Sequence, residues 1–302
     1  MKDFDVYAYG VIASSELHLL GMPFPTADNY AEITATHVMT GGEALNSAIV
    51  LSRLGLRVQL DGNWLGDTPD GTRLLETIRG YGIDTRRLHV EPGFGGVREI
   101  VFSDQHSRTI FGNYVALLST RRQWNVPRKE DLAGAEIVCV DPPFGEESDL
   151  VATYARALGL PFVSIDCHYD GLMASTAAAV IISGEFRQRA YPRAALSELF
   201  AAYQQRAQGL VVFTVGAEAV LFGRQNQPVK QFTPYPVSVI DSAGAGDSFR
   251  AGVIYGLLHG WEDSQTICYA AALAGLVCAS FPGVLHSPSH AEVTQFLLEQ
   301  AR

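Results

Sequence analysis

The chain has 302 residues, 47% hydrophobic and 18% charged, which suits one large α/β unit with an appendage and a substantial buried core. Its 32 acidic residues against 22 basic ones give a formal net charge of −10, and no basic run exceeds the pairs Arg86-Arg87 and Arg121-Arg122. Nucleic acid and anionic membranes are therefore excluded as expected partners.

Residues 6–13 read as a buried strand, and Asp3 and Asp5 precede it where a secretory leader would need positive charge. No apolar run reaches membrane-spanning length. Further short apolar strands are expected at 58–60, 136–141, 162–166, 179–183, 210–215 and 237–241. Helical patterns lie between them, at 44–54, closed by Gly55, and at 72–79, closed by Gly80 or Gly82. The alternation predicts a mainly parallel sheet with helices on both faces. Two segments break it: 17–39, with alternating residues from Tyr30 to His37, and 97–114, which reads as two strands around the polar turn 103–107. They are expected to form a small antiparallel subsheet from two separated stretches, or else edge strands of the main sheet. Cys139, Cys167, Cys268 and Cys278 show no CxxC spacing and sit in apolar settings, so reduced, buried thiols in a cytoplasmic protein are expected. The eight histidines show no ligand spacing.

Three glycine-bearing clusters follow in chain order. Thr40-Gly-Gly-Glu-Ala-Leu-Asn46 opens a helix: paired glycines let backbone amides meet a ligand and Asn46 can donate and accept, as hydroxyl-rich ligands require. A flexible entry turn followed by a helix-face Asn is the plainer alternative. Gly66-Asp-Thr-Pro-Asp-Gly71 reads as loop and cap chemistry. In Ile240-Asp-Ser-Ala-Gly-Ala-Gly-Asp247, a turn feeds the helix that carries Phe249, Val253 and Leu257, with Gly260 past its end. Such a helix start offers unpaired N–H groups and the positive end of the helix dipole, a natural anion site. Asp247 as a simple helix cap is the alternative. A P-loop is excluded, because the three lysines, Lys2, Lys129 and Lys230, do not follow a glycine, and the dinucleotide fingerprint lacks its third glycine.

In this order and spacing the clusters resemble the ribokinase-like (PfkB-type) carbohydrate kinase family. Gly41-Gly42 with Asn46 is similar to its N-terminal signature, Gly66-Asp67 with Gly71 to its Gly-Asp-Asp turn, and Asp241-Ser-Ala-Gly-Ala-Gly-Asp247 to its C-terminal signature. The resemblance covers essentially the whole chain. It implies a three-layer α/β sandwich (residues 1–302, one kinase domain) with a small β lid from about 14–40 and 94–116. It also implies transfer of the γ-phosphoryl group of ATP to a hydroxyl of a small sugar. Asp247 would be the base, and Gly244, Ala245 and Gly246 the anion hole. Gly216 would lie on the nucleotide side, and Gly41, Gly42 and Asn46 on the sugar. Asp241, Gly283 and Ser287 would attend a monovalent cation such as K+, and a homodimer through the lid is a family-level expectation. Because catalysis of phosphoryl transfer rests on positioning and on stabilising equatorial charge, an ordinary carboxylate of pKa ~4 is expected to serve as base.

The chain departs from the family pattern in three places. Ser15, with Glu16 beside it, stands where the family often has a sugar-binding Asp. Glu43 replaces a frequent Lys, which makes the sugar end more acidic and disfavours a phosphorylated sugar. In the Asn-x-x-Glu motif, which organises Mg2+ and phosphates, Gly184 and Arg187 stand instead, leaving Glu185 as metal organiser or Arg187 to meet phosphate directly. Asp166 and Asp141 end strands on the ligand-bearing edge and are candidates to touch the sugar. The expected function is a cytoplasmic, ATP-dependent sugar kinase. The alternatives are a nucleoside kinase of the same fold, with lid aromatics Phe24, Tyr30, Phe94, Phe102, Phe111 and Tyr114, and a catalytically inactive sugar- or nucleotide-binding regulator.

Overall fold

A computed structural model describes residues 2–104, 108–119 and 121–301. Strand β1 (Val6–Gly10) starts the chain in the main sheet, after which β2 (Ala13–Leu20) and β3 (Ile33–Gly41) form a hairpin outside it. Helix α1 (Glu43–Arg53) returns to β4 (Val58–Gly62), followed by β5 (Leu65–Gly66), α2 (Pro69–Gly80) and β6 (Val90–Glu91). Strands β7 (Arg98–Ser103) and β8 (Arg108–Gly112) complete the outer sheet. Then come α3 (Tyr114–Ser119), α4 (Lys129–Leu132), β9 (Ile137–Val140), α5 (Glu146–Ala157), β10 (Phe162–Ile165), α6 (Leu172–Thr176) and β11 (Ala179–Ile182). The rest is α7 (Gly184–Ala190), α8 (Leu196–Arg206), β12 (Leu210–Val215), β13 (Ala219–Gly223), β14 (Lys230–Phe232), α9 (Ala245–Leu258), α10 (Asp263–Cys278) and α11 (His290–Gln300).

The main sheet has eight strands in the order β14-β13-β12-β11-β10-β9-β1-β4, parallel from β12 to β4. Its central strands are continuous apolar runs such as Ile137-Val-Cys-Val140, because helices cover both faces. One face packs α1, α9 and α10 around Leu45, Ile49, Val253 and Leu273. The other packs α5 and α8 around Val151, Phe200 and Tyr203. The strand order reverses at β1, which has β4 on one side and β9 on the other. In an open α/β sheet the crevice at the carboxyl ends of such strands is where ligands bind.

The outer sheet runs β3-β2-β7-β8: two antiparallel pairs whose shared centre, β2 with β7, is parallel. It is assembled from two separated stretches and stands apart from the main sheet. Of the turn expected at 103–107, residues 105–107 lie outside the described residues.

Two sequence expectations are corrected. The first strand stops at Gly10 because the next two amides leave the ladder: Val11 N–H donates to the Asp141 carboxylate (2.9 Å) and Ile12 N–H to Asn63 Oδ1 (2.7 Å). Residues 237–241 are not a strand. Their apolar residues Val239 and Ile240 are 63% and 60% exposed, and the Ile240 and Asp241 amides both donate to Cys278 O at the end of α10 (2.8 and 3.1 Å). The sheet edge is supplied instead by the antiparallel strands β13 and β14. All four cysteines are free; Cys139 and Cys167 are buried, Cys268 and Cys278 partly so.

Candidate active site

At the carboxyl edge of the main sheet, under the outer sheet, lies a cleft of about 670 Å3, within the usual range for a small-molecule site. Its walls come from the outer sheet (Ser15, Leu17, Met39, Val101, Ile110), the start of α1 (Gly42, Glu43, Asn46), the strand ends (Asp166, Ser183, Thr214, Gly216) and the turn 242–247.

That turn is shaped by two glycines with different demands. Gly244 has φ 73°, and a Cβ there would meet Val284 Cγ2 at 2.2 Å, so the fold itself requires glycine. Nothing lies within 4 Å of a Cβ at Gly246, and its φ is ordinary. The missing side chain at Gly246 leaves room toward the cleft that no protein atom uses. The first-turn amides of α9 have no intrahelical acceptor; Ala245 N–H leans back to Ser242 O at 3.3 Å, which leaves those after it facing the cleft.

Asp247 does not cap α9, whose N-cap is Gly244. Its carboxylate instead accepts from Asn46 Nδ2 (2.9 Å), and Thr40 Oγ1 donates to Asn46 Oδ1 (3.1 Å), fixing the amide's orientation. Burial pushes Asp247 up to about 6, with neighbouring Asp141 adding to the rise while Arg250, Asn46 and Arg108 oppose it. The expectation of a carboxylate near 4 is thereby corrected, since the sequence does not reveal how completely water is excluded.

One turn along α9, Arg250 is wholly buried. Its Nη1 donates to the Asp141 carboxylate, its Nε to Ser47 Oγ (3.0 Å) and its Nη2 to Glu43 O (2.6 Å). Ser47 Oγ in turn donates to Asp247 O at 3.1 Å. Burial works against the guanidinium's charge, but Cys139, Asp141 and Asp247 more than offset this and hold its pKa above the ordinary value. For Glu43 the balance goes the other way: burial, then Asp141 and Asp247, raise it to about 8 against the opposing pull of its own backbone N–H and of Arg250.

The other predicted residues divide. Ser15, Gly42, Asn46, Asp166 and Gly216 face the cleft. Gly41 does not; the Glu99 carboxylate lies over it, where a Cβ would come within 2.0 Å of Oε2. Asp141 is also absent from the wall, because both its oxygens are engaged by Arg250 and Val11 N–H. Glu16 lines a separate crevice with Asp70 and Arg73. Asp166, held at φ 44°, accepts from the Ser183 amide (2.7 Å) and hydroxyl (2.8 Å). Glu185 faces the cleft but is 83% exposed and paired with Arg108 at 3.3 Å. Arg187 lies over the Phe213 ring and donates to Thr214 O. Asp241 Oδ1 accepts from Ala243 N–H (2.9 Å). Its Oδ2 and Ser287 Oγ are both buried without a hydrogen-bond partner, and Gly283 N–H reaches the Asp241 carboxyl. In the Gly66–Gly71 cluster, Thr68 Oγ1 accepts from Gly71 N–H as the cap of α2.

The sequence did not single out Glu99 or Arg108. Glu99 lines the cleft and accepts from Tyr114 Oη behind it. Arg108 crosses from β8 to donate to Ser242 O (2.9 Å), tying the outer sheet to the turn. Both reach the site only through tertiary folding. Arg250 carried a signal, as a charge inside the apolar run 248–258.

The pfkB family carbohydrate kinase pattern matches residues 23–287. The fructoselysine 6-kinase of Shigella flexneri is 27% identical over 250 residues, 80% of this chain and 88% of its own. The nucleoside kinase of Methanothermobacter thermautotrophicus is 25% identical over 285 residues, 91% and 90%. The ribokinase of Arabidopsis thaliana, solved with ribose and ATP, superposes with a TM-score of 0.81 at 16% identity, over 97% of this chain and 98% of its own. At that identity the likeness concerns the fold.

Removing the guanidinium strands Asp141 in the interior. Arg250→Met is expected to lower unfolding stability by about 3–5 kcal/mol in urea titrations, and the double variant Arg250→Met/Asp141→Asn to recover part of it. A loss below about 1 kcal/mol would show that the pair is not what holds this junction.

Proposed function

Because the chain belongs to the pfkB family of carbohydrate kinases, we propose that it moves the γ-phosphoryl group of ATP onto a hydroxyl of a small sugar or sugar derivative, with Asp247 as the base. The observation that carries this reading is the buried Asp247 carboxylate, held by Asn46 in the first turn of a helix whose amide end opens into the same cleft. The acceptor hydroxyl lies against Asp247 and loses its proton to it as the new O–P bond forms. The bond from the γ-phosphorus to the bridging oxygen breaks, and ADP leaves with that electron pair. Charge on the equatorial oxygens is met by the amides around Gly244, Ala245 and Gly246 and by the helix dipole. The sugar sits on Ser15, Gly42, Asn46 and Asp166, and the nucleotide on the Gly184 and Gly216 side.

Among the described residues no group of three or more His, Cys, Asp or Glu gathers as a metal centre. That fits an Mg2+ ion carried in on the nucleotide, which needs only one or two carboxylates; Glu185 is the one placed to meet it. For K+ the fit is closer, since Asp241 Oδ2 and Ser287 Oγ are buried acceptors with no donor. A sugar is favoured over a nucleoside because the described cleft wall carries no aromatic ring to stack a base. Phe24 and Phe111 each pack edge-on against Phe102 instead, and Phe102 also stacks on His18.

The outer sheet acts as a lid on a single kinase domain. On its outer face Val38, Glu16, Ile100 and Phe111 share one register row, and the three apolar members are exposed. Such a row supports a homodimer through the lid. The free thiols support a cytoplasmic setting.

ATP consumption with Mg2+ across sugars, ketoses, sugar acids and nucleosides tests the assignment. Asp247→Asn should lose about 10²–10⁴-fold in kcat, and undiminished turnover would sink Asp247 as base; saturable binding without turnover on any substrate would favour the regulator. The base works only when deprotonated, so kcat/KM should fall about tenfold per pH unit below about 6. Replacing K+ by a bulky organic cation should slow the enzyme, and an unchanged rate would remove the Asp241–Ser287 site. Sizing in solution should give a dimer that Ile100→Asp converts to monomer; a parent protein that runs as a monomer rejects the lid interface.

A further inference from the structure

Glu43 occupies the first position of α1, where the helix dipole ordinarily favours a charged carboxylate. Here it stands on the wall between the main cleft and a second chamber of about 460 Å3, and together with Ile165 and Asp166 it belongs to both. Its Oε2 is buried and has no hydrogen-bond partner. The nearest cation does not supply one: the hydrogen bonds of Arg250 run to Asp141, Ser47 and the backbone carbonyl of Glu43, not to Oε2. Three carboxyls, Glu43, Asp141 and Asp247, thus share one guanidinium. A buried carboxyl in this position is costly unless a donor, and preferably a positive charge, reaches it.

Building on the kinase reading above, we propose that Glu43 selects an acceptor carrying a protonated amine, an aminosugar or a sugar joined to an amine, with the ammonium seated against Oε2 at the mouth of the second chamber. An ammonium supplies both missing elements, an N–H donor and a second cation for the three carboxyls. A phosphate or carboxylate in the same place would bring further negative charge beside Asp141, Asp166 and Asp247 and offer Oε2 no donor. A neutral hydroxyl could donate to Oε2 but would bring no positive charge to offset Asp141 and Asp247 or to draw the proton from Glu43.

The groups that face Glu43 electrostatically are Asp141, Asp247, Arg250 and Tyr114. Free Glu43 is protonated at neutral pH; pairing with an ammonium releases that proton.

The probes are 2-amino-2-deoxyglucose and 1-amino-1-deoxyfructose, their N-acetyl forms, which keep the bulk and lose the charge, and the parent sugars. Binding is measured by calorimetry at pH 6.5, with a non-hydrolysable ATP analogue present, in two buffers of different ionisation enthalpy. An amine should bind at least tenfold more tightly than its acetamide and release close to one proton. In Glu43→Gln the amine-over-acetamide ratio should collapse toward one and the proton release should disappear. Amines that bind no better than acetamides, absence of proton release in the parent protein, or a ratio unmoved by Glu43→Gln would each overturn the proposal. If the variant does not fold, proton release by the parent protein decides. Turnover is read separately: no ATP consumption with any sugar sinks the kinase reading, whereas amine-selective binding with proton release stands or falls by itself.

Discussion

The buried pair of Arg250 and Asp141 is the constraint on which the site depends. Asp141 ends β9 at the point where the strand order reverses, and its second oxygen takes the Val11 amide as the chain leaves β1. A carboxylate there needs a cation, and Arg250 from α9 supplies it while also bonding Ser47 and the Glu43 carbonyl of α1. Four elements, β1, β9, α1 and α9, are thereby pinned at one junction. Buried ion pairs are weak evidence of net stability, because desolvation consumes much of their attraction. Their clearer consequence here is register. With Arg250 fixed, Asp247 one turn earlier has one place to be, within reach of Asn46.

The same exclusion of water that makes the pair costly to break sets the acid–base properties of the cleft. Asp247 and Glu43 are both lifted, to about 6 and about 8, with burial as the first cause in each. They differ because Arg250 and Asn46 support Asp247, whereas Glu43 leans only on its own backbone and on the weaker pull of Arg250. One carboxyl is ionised at neutral pH and suited to accept a proton. The other is held neutral until something charged arrives. Two acids in the first turns of two neighbouring helices, α1 and α9, therefore have separate chemistry, an arrangement that commonly marks functional sites.

Much of this was legible in the sequence, and the unread part has physical causes. The three-layer body followed from alternating apolar strands and helical periodicities, and the outer sheet from the two segments that broke the rhythm. Gly244, Asp247, Gly42 and Asn46 stood out because each belongs to a glycine-bearing helix start, and the two helix starts do meet at one cleft. Residues 237–241 misled because alternating apolar residues look alike on a strand and on a loop held by the Cys278 carbonyl. Strands β13 and β14 were missed because a short antiparallel edge carries little periodicity. Asp141 looked like a sugar ligand because strand-end position was visible, whereas the arginine that occupies it lies over a hundred residues away. Glu99 and Arg108 come from a sheet whose pairing had to form before either could face the cleft.

The acidity of the cleft bears on how a nucleotide triphosphate is accepted at all. Glu43, Glu99, Asp166, Glu185 and Asp247 line it with Arg108 as the only arginine or lysine in the described wall. Burial raises the pKa values of Glu43, Glu99, Asp166 and Asp247, and Glu43, lifted to about 8, is uncharged at neutral pH, so the negative charge an incoming phosphate meets is smaller than the formal count. Yet added phosphate charge pushes a neighbouring carboxyl higher still, and Asp247 already sits near 6. A base driven above neutrality would be protonated before the hydroxyl arrived. On the proposed reading, the amide end of α9, Arg108 and any cation held by Asp241 and Ser287 would therefore do more than hold phosphate: they would offset the charge that otherwise disarms Asp247. For the proposed transfer, binding the donor and keeping the base active are one electrostatic problem.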